Sequence, residues 1–204
     1  MDQAIADFNQ AIRINPNYAE PYYNRGVAHG LNGNLDQAIA DFTQAIRIIP
    51  NYAEAYYNRG FVHYNRNNID QAIADFTQVI RINPNYADAY NSRGIAHGLN
   101  GNLDQAIANF AQSIRINPNL AEAYNNRGFV HYNRNNFDQA IADYTQAIRL
   151  DPNYASAYSN RGLAYADKGN LDQAIADFNQ AIRLDPNDAV IRTNLERARR
   201  LRGW

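Results

Sequence analysis

Proline returns every 34 residues along this chain, at Pro16, Pro50, Pro84, Pro118, Pro152 and Pro186. A period of that length means one supersecondary unit copied in tandem, each copy covering its neighbour's apolar face. The chain of 204 residues therefore reads as one all-α solenoid, although its length alone would suggest one or two globular domains. The period also bears on function. Stacked helical hairpins present long surfaces suited to holding other proteins, and nothing in the period says which.

One repeat, Ala19 to Tyr52, shows the logic of all of them. Tyr22, Gly26 and His29 fall at helical spacing and belong to a first helix. Gly33 ends it with the left-handed conformation that helix C-termini favour. Asn34-x-x-Gln37 reads as a variant capping box, with Asp36 well placed for the helix dipole. A second helix follows, with Leu35, Ala38, Ile39, Phe42, Ala45 and Ile46 on one side, and Pro50 stops it. Asn51 to Glu54 reads as another capping box, opening the next copy. This divides the chain into a half repeat (1–18), five full repeats (19–52, 53–86, 87–120, 121–154 and 155–188) and a C-terminal capping helix (189–204). Glycine (Gly26, Gly60, Gly94, Gly128, Gly162) and alanine (Ala4, Ala38, Ala72, Ala106, Ala140, Ala174) also recur in phase. Helices that cross closely need such small side chains, because larger ones overpack at about 1–3 kcal/mol each.

The repeated pattern Tyr22-x2-Arg25-Gly26-x2-His29, then Ala38-x3-Phe42, then Pro50 resembles the tetratricopeptide repeat. The resemblance extends over essentially the whole chain. It implies a right-handed superhelical solenoid of helix-turn-helix units, acting as a protein-interaction scaffold with no enzymatic activity. It also implies that first helices line a concave groove. Carried onto this chain, the peptide-binding groove comprises Tyr23, Asn24, Val27, Tyr57, Asn58, Phe61, Tyr64, Asn91, Ile95, Asn125, Asn126, Phe129 and Tyr132. Exposed rings can take apolar side chains of an extended peptide while amides bond its backbone. Some of these rings could instead pack between repeats. A subgroup of the family grips a C-terminal carboxylate with basic groove residues. This chain has a single lysine, Lys168, at a turn, and does not match that mode.

Two columns depart from the family pattern. His29, His63, His97 and His131 stand where tyrosine is usual. Ligands to one metal ion must converge to about 2.1 Å, whereas equivalent residues of stacked helices sit about 8–10 Å apart. The histidines are therefore expected to be packed and hydrogen-bonded, with no metal site. Arg25, Arg59, Arg93, Arg127 and Arg161 stand where leucine is usual, and Asp41, Asp75, Asp143 and Asp177 run along the facing helix, with Asn109 the exception. Arg–Asp pairing inside each hairpin is the economical reading, because a packed charge needs a partner. An arginine ladder for phosphate or carboxylate is the functional alternative.

The formal charge of −1 gives no pull toward nucleic acid or an anionic membrane. The partner is expected to be a protein or peptide, neutral or basic and partly apolar, since Glu20, Glu54, Asp88 and Glu122 mark the starts of first helices. With no cysteine, thiolate chemistry is excluded. No catalytic constellation or phosphate loop breaks the repeat symmetry, so neither catalytic residues nor cofactors are expected. No apolar run approaches the roughly 20 residues of a membrane span. The N-terminal MDQAIADFNQAI lacks a signal-peptide pattern, which leaves a cytoplasmic location as the default. The alternative to a binding scaffold is a self-assembling element. Ile5, Phe8 and Ile12 of the half repeat lack a first helix before them, and the helix Ala189–Arg202 of a second copy, or a second copy's own N-terminal helix, could cover them.

Overall fold

The structure is a computed structural model that describes residues 2–203, with side chains from residue 3 onward. Among these residues there are twelve α-helices and no strand. The chain falls into two compact units, Met1–Asn102 and Leu103–Trp204. The first holds α1 (Asp2–Ile14), α2 (Ala19–Leu31), α3 (Leu35–Ile48), α4 (Ala53–Asn65), α5 (Ile69–Ile82) and α6 (Ala87–Leu99). The second holds α7 (Leu103–Ile116), α8 (Ala121–Asn133), α9 (Phe137–Leu150), α10 (Ala155–Asp167), α11 (Leu171–Leu184) and α12 (Ala189–Arg202). Within each unit every helix packs on the next, and first helices also touch one another: α2 with α4 and α4 with α6, α8 with α10 and α10 with α12. Each unit is thus a solenoid of 34-residue helix pairs in which the first helices share one face. No described helix is long and apolar enough to cross a membrane.

The glycine column explains how the two helices of a pair come so close. A methyl group added at Gly26 would lie 2.8 Å from the Phe42 ring, and one at Gly128 would lie 2.9 Å from Tyr144. The ring needs the space that the missing side chain leaves. Phe42, Phe76, Tyr144 and Phe178 are all buried, and Phe42, Tyr144 and Phe178 share core clusters with Ala38, Ala140 and Ala174 of the small-residue column.

Each first helix ends in the same six-residue closure. Asn34 N–H donates to the His29 carbonyl at 2.9 Å and Gly33 N–H to the Gly30 carbonyl at 3.1 Å. This is the Schellman arrangement, which requires a left-handed residue. Gly33, Gly101 and Gly169 supply it at φ of 77°, 77° and 84°; in the alternate repeats Asn67 and Asn135 supply it at 60° and 59°.

The capping boxes do not form. Asn34 does precede α3, but at φ −82°, ψ 65°, and its side chain caps nothing. The Schellman closure holds its backbone away from the extended conformation from which a capping side chain reaches the next turn. The residue before α4 is Tyr52, not Asn51, and it too makes no side-chain cap. A true cap is found at α12, where Asp188 accepts from the Val190 and Ile191 N–H groups at 2.7 and 3.1 Å. The asparagines before proline have another task. Asn15 accepts from Asn17 N–H at 3.2 Å, Asn83 from Asn85 at 3.0 Å and Asn117 from Asn119 at 3.1 Å, so the proline sits inside a side-chain-closed turn. Ile49 breaks that series.

Candidate functional site

The arginine column is committed to structure. Arg25 grips Asp41 with two bonds, Nε to Oδ2 at 2.8 Å and Nη2 to Oδ1 at 2.5 Å. Arg59–Asp75, Arg127–Asp143 and Arg161–Asp177 repeat the fork at 2.6–2.9 Å. In three of the four the other edge reaches the preceding second helix: Arg25 donates to Asn9 at 2.5 Å, Arg59 to Thr43 at 2.9 Å and Arg161 to Thr145 at 3.0 Å. Each guanidinium also lies over a tyrosine ring one turn back, as Arg25 does over Tyr22 at 5.6 Å. Hydrogen bonding to its aspartate raises the Arg127 pKa against the opposing cost of burial. Arg25, Arg59 and Arg161 each tie three helices together, Arg127 ties two, and the four do not form an anion ladder.

The histidines are packed, but the expected hydrogen bonding fails at one nitrogen. Nδ1 of His29, His63, His97 and His131 is buried and finds no partner. His29 Nε2 stays 3.9 Å from Asp41 Oδ2, too far for a hydrogen bond. Burial lowers the pKa of His63, His97 and His131. No group of three or more metal-ligating side chains gathers among the described residues.

On the shared face of α2, α4 and α6, several groove residues link repeats. Tyr23 packs on Tyr52 at 5.0 Å and accepts from Asn58 Nδ2 at 2.8 Å. Tyr57 stacks on Tyr86 at 5.3 Å and its hydroxyl bonds Ser92 at 3.1 Å. Burial raises the Tyr23 and Tyr86 phenols, so both stay neutral near pH 7. Asn91 is buried at 5 % exposure; Asn24, Val27, Tyr64 and Ile95 are half-buried. Phe61 stands out at 49 % exposure, stacked on Tyr64 at 6.2 Å.

On α8 and α10 the same rules hold. Asn125 is buried at 7 % and accepts from Asn160 at 3.1 Å. Asn126 is half-buried, and Phe129 is 51 % exposed. Tyr132 packs on Phe137 at 5.7 Å and donates to Asp167 at 2.5 Å. Burial, and then that bond, push its pKa up to about 12. Tyr52 and Tyr86, absent from the groove reading, are integral to this face. They precede helices rather than lie in them, so helical periodicity passes over them. A second unforeseen ladder joins the turn after a first helix to the preceding second helix: Arg66 to Asp36, Arg134 to Asp104 at 2.6 Å, Lys168 to Asp138 and Arg202 to Asp172 at 2.7 Å.

Tetratricopeptide-repeat family models match residues 1–66, 53–86, 76–108, 99–134 and 125–189, nearly the full chain. The chain belongs to the tetratricopeptide repeat family. No curated protein matches it at a significant level. Among solved structures, it is similar to YrrB, described as a TPR protein with an unusual peptide-binding site. The identity is 25 % and the TM-score 0.74, over 93 % of this chain and 97 % of that one. It is similar to MamA at 27 % identity and TM-score 0.73, over 79 % and 94 % of the two chains. A thermophilic TPR protein of Thermus thermophilus, TTC0263, shares the fold at 24 % identity and TM-score 0.69, over 89 % and 98 %. Proteins of this tetratricopeptide class mediate protein–protein interaction, and the arginine-to-aspartate forks and the glycine–ring contacts account for how this member builds its repeats.

Proposed function

We propose that this TPR protein is a non-catalytic scaffold in which each unit binds a peptide segment along the face formed by its own first helices. The observation that carries the reading is the pair Phe61 and Phe129, at 49 % and 51 % exposure in the same repeat position on α4 and α8. Both are large rings held out on helices, whereas their neighbours Tyr23, Tyr57 and Asn125 are drawn into contacts between repeats and Asn91 is buried. These neighbours fix the face, and the two phenylalanines are the surfaces left to contact a ligand. Glu20, Glu54, Asp88 and Glu122 are exposed at the starts of first helices and favour a neutral or basic segment. The comparison with YrrB supports the same reading.

Panning a displayed random-peptide library on the full chain tests this. Captured peptides should lose at least about tenfold in affinity on Phe61→Ala or Phe129→Ala, as an aromatic anchor does. Unchanged affinity in both variants, with helical content intact, excludes this face.

Self-association is the second reading. The observation behind it is that Phe8 of α1 is half-exposed where its counterpart Phe42 is 2 % exposed. In a head-to-tail contact, α12 of a second copy would set Glu196 against Phe8 where Gly26 faces Phe42. A methyl group at that place already lies 2.8 Å from the ring, and a glutamate is far larger, so the second copy would present its own α1. Light scattering should then show dimers that Phe8→Glu dissolves; a chain monomeric at every concentration rules this out.

A further inference from the structure

A cleft of about 250 Å³ opens between α2 and α4, with Gly30, Leu35, Phe42, Phe61, Val62 and Asn65 among its lining residues. None of its lining residues carries a charge. The cleft exists because residue 30 has no side chain: a methyl group placed there would meet only the Ala38 methyl, at 4.0 Å.

The protein itself shows what such a space holds. Residues 19–86 and 121–188 are repeat pairs related by a shift of 102, and Gly30 corresponds to Tyr132. The Tyr132 ring packs on the core of Ala140, Tyr144 and Ala164, the counterparts of Ala38, Phe42 and Val62. It also contacts Phe137, the counterpart of Leu35, at 5.7 Å. Its hydroxyl donates to Asp167, and the residue at that place in the first pair is Asn65, an exposed lining residue of the cleft carrying a carbonyl acceptor. The pocket thus keeps an apolar bed and an acceptor at the places that serve Tyr132, and lacks the ring.

Resting on the groove reading above, we infer that the Gly30 cleft is the specificity pocket of the peptide site and takes a tyrosine side chain of the bound segment, its ring on Phe42, Leu35 and Phe61 and its hydroxyl donating to Asn65. The ring supplies from the partner what Tyr132 supplies from within. Apolar cavities of about 150 Å³ bind benzene, so a space of about 250 Å³ suits a phenol. The acceptor at Asn65 is a neutral amide, where its counterpart Asp167 is charged, so the pocket accepts the uncharged phenol without pairing to a cation.

The probe is p-cresol, the tyrosine side chain alone, titrated into the 204-residue chain with methyl resonances followed by NMR. Saturable shifts at Val27, Leu31, Leu35 and Val62 are expected, with toluene binding about two- to tenfold more weakly for want of one hydrogen bond. Gly30→Tyr should abolish the shifts, because the protein then fills its own pocket. Asn65→Ala, an exposed substitution that leaves the core alone, should erase the preference for p-cresol over toluene. Absence of saturable shifts in the wild-type protein, persistence of them in a folded Gly30→Tyr variant, or equal binding of toluene would each overturn the inference. The outcomes separate it from the groove reading. Peptides that bind through Phe129 but ignore Gly30→Tyr would remove the pocket and keep the groove. A p-cresol site without any captured peptide would do the reverse.

Discussion

The α2–α3 hairpin and the α8–α9 hairpin share a frame and differ most densely in one place. In both, a glycine makes room for a ring (Gly26 for Phe42, Gly128 for Tyr144), and in both an arginine grips an aspartate with a fork (Arg25–Asp41, Arg127–Asp143). The densest run of differences lies at the end of the first helix. One hairpin has Gly30, Gly33 and Leu35; the other has Tyr132, Asn135 and Phe137. Residues between the two helices tolerate little variation because each occupies space its neighbour has vacated. Residues at the end of the first helix face the next repeat's first helix and solvent, so a ring can be present or missing without disturbing the pair. Variation there changes what the surface can hold while leaving the fold alone.

The largest expected effect probes the shared frame. Asp41→Ala and Asp143→Ala should each cost about 3 kcal/mol, because each strands a partly buried guanidinium. Urea unfolding followed by circular dichroism measures this. Losses differing by more than about 2 kcal/mol, the spread found for breaking buried pairs, would mean the frames are not equivalent.

Next comes the glycine–ring contact. Gly26→Ala and Gly128→Ala should each lose about 1–3 kcal/mol through overpacking, against the small gain alanine ordinarily brings to a helix interior. A stabilised variant would show that the ring can retreat.

The turns should then separate the hairpins. Gly33→Ala should destabilise by about 1–2 kcal/mol, the cost of a left-handed alanine, whereas Asn135→Gly should gain up to about 1 kcal/mol at the matching position. The turn after the second helix gives a smaller effect. Asn153 N–H donates to Asp151 at 2.9 Å after α9, and Ile49 offers no such acceptor after α3. Ile49→Asn should add about 0.5–1 kcal/mol, and no gain would show the side-chain bond is dispensable.

Acid should reveal the smallest effect. Burial lowers the His131 pKa in the folded state, so the unfolded chain takes up the proton first as pH falls. Stability is full above the unfolded imidazole pKa of about 6.5 and declines below it. His131→Tyr, which copies Tyr165 of the fifth repeat, should flatten the fall in melting temperature between about pH 7 and pH 5. An unchanged slope would assign the acid response to other groups.

Much of this is legible from the 34-residue period. Helix order, the small columns and the Arg–Asp pairing follow from residues that must face each other inside a hairpin, and spacing alone identifies them. The capping boxes mislead because Asn34 looks like a cap in sequence, whereas the backbone closure already made by Gly33 leaves it the wrong torsion angles. The groove is only partly legible for a related reason. Tyr23, Asn58 and Phe61 all read as surface residues of first helices, yet contacts between neighbouring repeats withdraw Tyr23 and Asn58 and leave Phe61 out. Period and composition determine which residues share a helix face. Whether a residue on that face is spent on the next repeat or left for a ligand depends on distances between helices, and these exist only once the repeats have stacked.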